Sequence, residues 1–290
     1  MAEAPARWTV GSVLGFAVED FQRRGLPSAR LDAELLLCHV LGLRRIDLLL
    51  ERERELAAAE LASYRGLIQR RRRAEPVAYL VGTREFYGLP FRVDARVLVP
   101  RPDTETLVDV ALARTQAVDL AARALDLCTG SGCVALALAR SRPTWSVTGV
   151  DLSPDALVVA RDNAARLGLI QHVAFVEGDL DTPLPEGARY DVITANPPYV
   201  PTAELAELDA DVRDHEPRLA LDGGPDGLAL LRRIIERSSS RLTEGGLLVL
   251  EVGYGQAEPV AALLAERGFT GIERRRDLGG IDRVVCGHRA

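Results

Sequence analysis

Lysine is absent from this chain of 290 residues, so its 36 basic side chains are all arginine. Beside the abundance of alanine, that absence reads as a genomic base-composition bias rather than a functional signal. Acidic residues outnumber the arginines, and the formal net charge of -6 does not draw the chain to a polyanion through bulk electrostatics. Tight phosphate-backbone binding is disfavoured, and a local basic face stays open. Cysteine is scarce. Cys38, Cys128, Cys133 and Cys286 include no Cys-x-x-Cys pair, so no metal site is expected, and a chain of this length has no need of disulfide staples. Long apolar runs are missing too: the longest uncharged stretch, Leu127 to Ala139, is glycine-broken and too short to span a bilayer. Met1 to Trp8 has no basic segment followed by an apolar core, so no signal peptide and no membrane partner are expected, and a cytoplasmic location is the default. No His-Asp-Ser or Cys-His arrangement offers a protein nucleophile, and no internal repeat stands out.

What is present is globular in kind, with 47% hydrophobic and 27% charged residues and length enough for two domains. Residues 1–81 read as a small helical bundle. Leu31, Leu35, Cys38 and Leu41 recur at helical spacing between an N-cap candidate, Ser28, and a stop at Gly42, and Leu56, Leu61, Tyr64 and Ile68 follow on a later helix. Arg70 to Arg73 close that helix, either as cations favourable at its carboxyl end on a solvated face or as a basic docking patch. Residues 82–100 change to short extended segments, Glu85 to Phe91 and Arg96 to Pro100, predicted to form a hairpin turning near Asp94. In residues 101–290 a helix start at Arg101 to Glu105 leads into alternating strands and helices. Strands are predicted near 124–127, 146–151, 172–176, 190–195, 247–252 and 283–286, with helices between them. Such alternation specifies an α/β fold, a mostly parallel sheet with helices on both faces and ligands at the carboxyl ends of its strands.

One stretch organises the rest, Asp191 to Val200. An apolar strand stops abruptly in Asn196-Pro197-Pro198-Tyr199, because proline has no amide proton and pushes its predecessor into extended geometry. The result is a stiff platform offering the Asn196 amide, the Pro197 carbonyl and the Tyr199 ring, acceptors beside a π face that suit a planar group bearing an NH2. A plain strand terminator with Tyr199 in the core is the competing reading. Upstream, Asp126-Leu127-Cys128-Thr129-Gly130-Ser131-Gly132 is a strand followed by a tight glycine loop that opens a helix, unlike a dinucleotide Gly-x-Gly-x-x-Gly. Asp151 ends the next strand, placed either to accept ribose hydroxyls or to cap the helix at Ser153-Pro154. Gly178-Asp179-Leu180 ends the third, where an adenine could be contacted. These features fall at the carboxyl ends of four successive strands, a convergence that packing alone does not explain.

This order of glycine loop, two acids and Asn-Pro-Pro-Tyr resembles the class I S-adenosylmethionine-dependent methyltransferases that methylate planar amines. More closely, the chain resembles the HemK/PrmC family of release-factor glutamine methyltransferases. The likeness extends through Pro76 to Gly82, Glu85 to Phe91, Leu98 to Glu105, Glu216 to Leu221 and Gly245 to Glu251. It implies a Rossmann-like domain with a mostly parallel seven-stranded sheet in residues 101–290, a β-hairpin connector in 82–100, and a helical substrate-docking domain in 1–81. It further implies S-adenosyl-L-methionine held by Asp126, Cys128, Thr129, Gly130, Ser131, Gly132, Asp151, Leu152, Asp179, Leu180 and Asn196, with Asn196, Pro197, Pro198 and Tyr199 receiving the substrate amide. The implied partner is a peptide-chain release factor, through its Gly-Gly-Gln loop, and no stable DNA binding is expected. Cys128 departs from the family's usual glycine and resembles the sister group that methylates a ribosomal-protein glutamine. His215 stands where an aromatic residue is usual and reads as loop packing rather than as a base or metal ligand. A DNA adenine methyltransferase and a non-catalytic RNA- or ribosome-binding module remain the rival readings.

Overall fold

A computed structural model describes residues 8–116 and 121–290, so most of the stretch examined for a signal peptide, Met1 to Trp8, lies outside the described residues. The chain divides into two compact units. One runs to Gly82 and takes in Ala210–His215; the other comprises Thr83–Asp209 and Glu216–Ala290.

The first unit is built from α1 (Val10–Arg23), α2 (Ala29–Leu41), α3 (Arg45–Leu50), α4 (Ala58–Arg71) and α5 (Val77–Val81). Thr9 and Ser12 cap α1 reciprocally, each side chain accepting the other's backbone N–H, which satisfies two otherwise orphaned donors. Gly42 ends α2 in the left-handed region, as its sequence position predicts. The buried side of α2 differs from the leucine spacing: Ala33, Leu36 and Leu37 join Phe21, Tyr64 and Ile68 in the core, whereas Leu31 is exposed.

The arginine run sits in part as cations at the end of α4, with Arg70 and Arg71 in its last turn and Arg70 half exposed, but Arg71 leaves the solvated face. Arg71 is buried and donates to buried Asp32 at 2.8 Å, Arg72 binds Asp20 through both ends of its guanidinium at 2.8 and 3.0 Å, and Arg70 pairs with Glu75. These three side chains are ion-paired within their own unit. Asp211 lies 3.7 Å from Arg71, and His215 Nε2 meets the Arg73 carbonyl at 2.8 Å, the packing role expected of that histidine.

The second unit opens with a hairpin, β1 (Thr83–Phe86) and β2 (Leu89–Arg92). The turn is not at Asp94: it is the dipeptide Tyr87-Gly88, with φ of 51° and 70°, and Arg96 to Pro100 forms no strand. Two central residues at positive φ match the twist of a tight hairpin. Tyr87 tolerates this strained region because its N–H donates to Glu105 and its hydroxyl to Asp109, each at 2.8 Å.

Beyond it come α6 (Glu105–Arg114), β3 (Arg123–Leu127), α7 (Cys133–Ser141), β4 (Ser146–Asp151), α8 (Pro154–Arg166), β5 (Val173–Glu177) and β6 (Tyr190–Ala195). After α9 (Ala210–Arg213), which lies in the helical unit, follow α10 (Ala229–Arg241), β7 (Leu242–Glu251), α11 (Ala257–Glu266), β8 (Phe269–Arg276) and β9 (Asp282–Arg289). The sheet has seven strands in the order β5-β4-β3-β6-β7-β9-β8, with β9 antiparallel to both neighbours. Val192 to Ala195 are buried without a break, the signature of a strand covered on both faces. From β3 the chain winds outward to β5, then returns to place β6 on the other side of β3. Strand order reverses there, and a crevice opens at the carboxyl ends of β3 and β6. Among the described residues no helix is long and apolar enough to cross a membrane.

Candidate active site

β6 pairs with β3 and β7 only as far as Ala195, and the two prolines carry the chain out of the sheet at that point. The released segment is clamped from behind. Gln256 donates to the Tyr199 carbonyl at 2.9 Å, and a Cβ at Gly223 or Gly227 would stand 2.7 Å and 2.3 Å from Tyr199 backbone atoms. Only glycine leaves room for so close a backbone approach. The Tyr199 ring packs against the core and its hydroxyl donates to Glu251 at 3.3 Å. The Asn196 amide donates through Nδ2 to Thr104 Oγ1 at 3.1 Å, which leaves Oδ1 as its open end.

The crevice holds a cavity of about 510 Å³, within the range of cofactor sites. Its lining includes Asp126, Cys128, Thr129, Gly130 and Ser131 from the first loop. Asp151 and Leu152, Asp179 and Leu180, and Asn196 with Pro198 complete the wall from the next three strand ends. Gly132, Pro197 and Tyr199 stand outside the lining. Gly132 serves packing instead, since a Cβ there would meet Phe175 at 3.0 Å and Ala160 at 3.2 Å. A Cβ on Gly130 would meet nothing, so open space lies over that residue.

The loop is held by buried acids. Asp126 accepts the Thr129 and Thr194 hydroxyls at 2.6 and 2.7 Å, joining β3, its loop and β6. Asp151 accepts the Gly130 N–H at 2.8 Å and the Ser153 N–H at 2.9 Å, and Ser153 rather than Asp151 caps α8. Asn163 then ties the hairpin to the loop, donating to the Ser131 and Arg92 carbonyls and accepting the Arg92 N–H. Cys128 sits at φ 58°, the conformation that explains why glycine suits this place. Burial raises its thiol well above the ordinary value and lifts that of Cys133 to about 12, so neither is a thiolate nucleophile at neutral pH. Asp179 accepts from Arg233 at 2.6 Å.

Sequence reasoning gave no role to Thr104, Glu251, Arg101 or Glu216. Buried Glu216 accepts from Arg101 at 2.8 Å, and Arg101, Thr104 and Arg233 all line the cavity. The available signal was position: Glu251 ends β7, the strand beside β6, and so lies at the same edge of the sheet as Asn196.

Burial is the largest influence on both inner carboxyls. It pushes Asp126 up to about 6 against its threonine hydrogen bonds, and Glu251 up to about 7 against Thr104, Arg283 and Tyr199. Asp32 and Asp151 are raised for the same reason. A carboxyl raised on folding stabilises the fold most below its unfolded pKa, and that contribution is lost as pH rises through the folded value. The arginine-paired carboxylates, such as Asp20 and Glu75, are lowered and weaken the fold only below their ordinary values near 4. Between pH 5 and pH 8 the raised group therefore governs. The melting temperature of the ligand-free protein should fall across that range, by on the order of 5 °C in a scanning calorimeter. A flat or rising profile would contradict these burial effects.

Two family descriptions match the chain, PrmC N-terminal domain at residues 12–82 and Methyltransferase domain at 124–215. The release factor glutamine methyltransferase of Geobacter sulfurreducens is 45% identical over 287 residues, covering 99% of each chain. This chain belongs to the release factor glutamine methyltransferase family. The Vibrio cholerae release factor glutamine methyltransferase is 42% identical over 279 residues, covering 96% of each chain. A solved methyltransferase from Pyrococcus furiosus, 18% identical with a TM-score of 0.53, covers 71% of this chain and 91% of its own and shares the fold. Family membership makes the chain an S-adenosylmethionine-dependent protein-glutamine methyltransferase, with S-adenosyl-L-methionine as its cofactor. The cavity suits that group in size, in the open space above Gly130 and in the polar side chains of Asp151 and Asp179 on its wall.

Proposed function

We propose that this family member works in the cytoplasm, methylating the side-chain nitrogen of the glutamine in the Gly-Gly-Gln loop of release factors, and that Asn196 receives that amide. The observation that carries the reading is the Asn196 amide, anchored by Thr104 with its oxygen open, on a stiff strand end at the rim of a cofactor-sized cavity. Asp151 is assigned to the ribose hydroxyls, Asp179 and Leu180 with Leu152 to the adenine side, and Cys128 to Ser131 to the rest of the cofactor. Gly132 supports them by fixing the start of α7. When bound, the cofactor supplies an electrophilic methyl on a cationic sulfur.

The remaining work belongs to the chain. A carboxamide nitrogen is a poor nucleophile because its lone pair is delocalised into the carbonyl. Asn196 Oδ1 and the Pro197 carbonyl accept the substrate N–H groups and hold the nitrogen in line, so positioning lowers much of the barrier. The same acceptor dipoles stabilise positive charge growing on nitrogen during attack. Once alkylated, that nitrogen is acidic and its proton passes to water. Pro198 stiffens the platform, and Tyr199, packed on the core with its hydroxyl on Glu251, anchors it from behind. Docking of the release factor falls to the helical unit, in keeping with the match of residues 12–82 to the PrmC N-terminal domain.

Cys128 lines the cofactor cavity, so its departure from glycine bears on the cofactor side more than on the choice of glutamine. The test is incubation with S-adenosylmethionine and purified release factor, followed by peptide mass spectrometry. A methyl group on the glutamine of the Gly-Gly-Gln peptide is expected. Transfer to a ribosomal protein or to DNA in parallel tubes, with none to the release factor, would overturn the target. Cofactor binding without transfer anywhere would favour a binding module.

A further inference from the structure

Three arginines spaced four residues apart, Arg233, Arg237 and Arg241, share one face of α10, while Leu231, Ile234 and Ile235 are buried on that helix. All three reach the same short segment after β5, Asp179-Leu180-Asp181. Arg233 Nη2 donates to Asp179 Oδ2 at 2.6 Å, Arg237 Nη1 to Asp181 Oδ1 at 2.9 Å, and Arg241 Nε to Asp181 Oδ2 at 2.8 Å. Between the two gripped acids Leu180 holds a φ of 55° with its side chain buried in the core. A leucine is strained there, and such a conformation persists only where its surroundings enforce it.

The two grips differ in kind. Asp181 and Arg241 are mostly buried, at 13% and 15% exposure, and Arg241 also donates to the Pro185 carbonyl at 2.9 Å. That pair shapes the segment. Asp179 and Arg233 are 43% and 44% exposed, and both stand on the cavity wall. An ion pair so open to water adds little to stability, so folding does not account for it.

We propose that Arg233 is a positioning residue that sets which base the cofactor site accepts, an inference resting on the assignment of Asp179 to the adenine side above. Arg233 occupies Oδ2, and Oδ1 has no hydrogen-bond donor among the described residues. One oxygen is pinned to α10, which leaves the other to a ligand. A carboxylate only accepts. It matches the exocyclic NH2 on C6 of adenine and repels the carbonyl oxygen that hypoxanthine carries at the same place. An untethered carboxylate escapes that conflict by turning towards the N1–H that hypoxanthine presents beside its carbonyl. Arg233 withholds this freedom, and its guanidinium makes an adaptable acid selective.

The experiment is calorimetric binding of two ligands to the protein: S-adenosylhomocysteine, the product of methyl transfer, and its inosyl analogue, with hypoxanthine in place of adenine. Wild type should favour the adenosyl ligand roughly a hundredfold, as expected where a charged acceptor meets a donor in one ligand and an acceptor in the other. Arg233→Ala should cut that ratio to below about tenfold, weakening the adenosyl ligand and strengthening the inosyl one. Its melting temperature should stay within about 1 °C of wild type. Arg241→Ala, which loosens the buried grip on Asp181, should melt lower yet keep the ratio within about threefold of wild type, because it weakens both ligands alike. A wild-type ratio in Arg233→Ala, an equal loss of both ligands there, or a ratio that falls as far in Arg241→Ala would overturn the positioning role. Should Arg241→Ala not fold, Arg233→Ala decides alone. Asp179→Asn should erase the preference, since an amide donates to the hypoxanthine oxygen as readily as it accepts from adenine. A wild-type ratio in Asp179→Asn would remove Asp179 from the base and defeat this inference with that assignment. Methylation of release factor, read separately by mass spectrometry, would be untouched by that result.

Discussion

Asn196→Ala should slow methyl transfer to release factor by roughly a hundred- to a thousandfold while leaving cofactor affinity within about threefold of wild type. The truncation removes the acceptor oxygen that faces the substrate and spares the acids that hold the loop, since Asn196 bonds to Thr104 and not to Asp126 or Asp151. Backbone geometry survives as well, because Pro197 and Pro198 fix the strand end whatever precedes them. Single-turnover rates with calorimetric cofactor binding separate the two effects. A loss of affinity as large as the loss of rate would place Asn196 on the cofactor and remove it from the reaction.

Asp151→Ala should show the opposite split. Its carboxylate organises two backbone N–H groups, those of Gly130 and Ser153, and is the group proposed to receive the ribose hydroxyls. Hydrogen bonds to a charged acceptor contribute about 1.5–3 kcal/mol each. Losing two at the ligand and slackening the loop should weaken cofactor binding by roughly a hundredfold or more. At saturating cofactor most of kcat should return, because the Asn196 platform is intact. Unchanged cofactor affinity would reduce Asp151 to a loop tether.

What the sequence made legible follows physical lines. A strand covered on both faces leaves a largely apolar run, so Tyr190 to Ala195 was readable to the residue, and Ser146 to Asp151 was readable from its place between two helices in the alternation. β8, Phe269–Arg276, escaped: it is an edge strand, mostly exposed, whose Glu-Arg-Arg-Arg sequence carries no apolar alternation. The hairpin was readable in kind but not in register, because a tyrosine at positive φ gives no turn signal of the sort glycine or asparagine gives. The site divides in the same way. Asp151, Asp179 and Asn196 announce themselves by ending strands. Thr104 and Glu251 become partners of the Asn-Pro-Pro-Tyr segment only through contacts spanning 92 and 52 residues of chain, which no local pattern encodes. Gly132 and Tyr199 lay in the right motifs, but their atoms are turned to packing rather than to the cavity wall.

Because the cations paired with Asp20, Asp32, Glu34, Glu75 and Asp181 are all guanidiniums, these pairs keep their charge as the medium turns alkaline. Ammonium partners would begin to neutralise near pH 10, where guanidinium is still fully protonated. Alkaline unfolding is thus left to the buried phenols and thiols of Tyr64, Tyr199, Cys128 and Cys133, all held neutral by burial and all resisting ionisation until the chain opens. The same substitution of chemistry reaches the bench: cyanate in aged urea carbamylates lysine side chains, and this protein, having none, can be denatured and refolded without acquiring that modification on a side-chain amine.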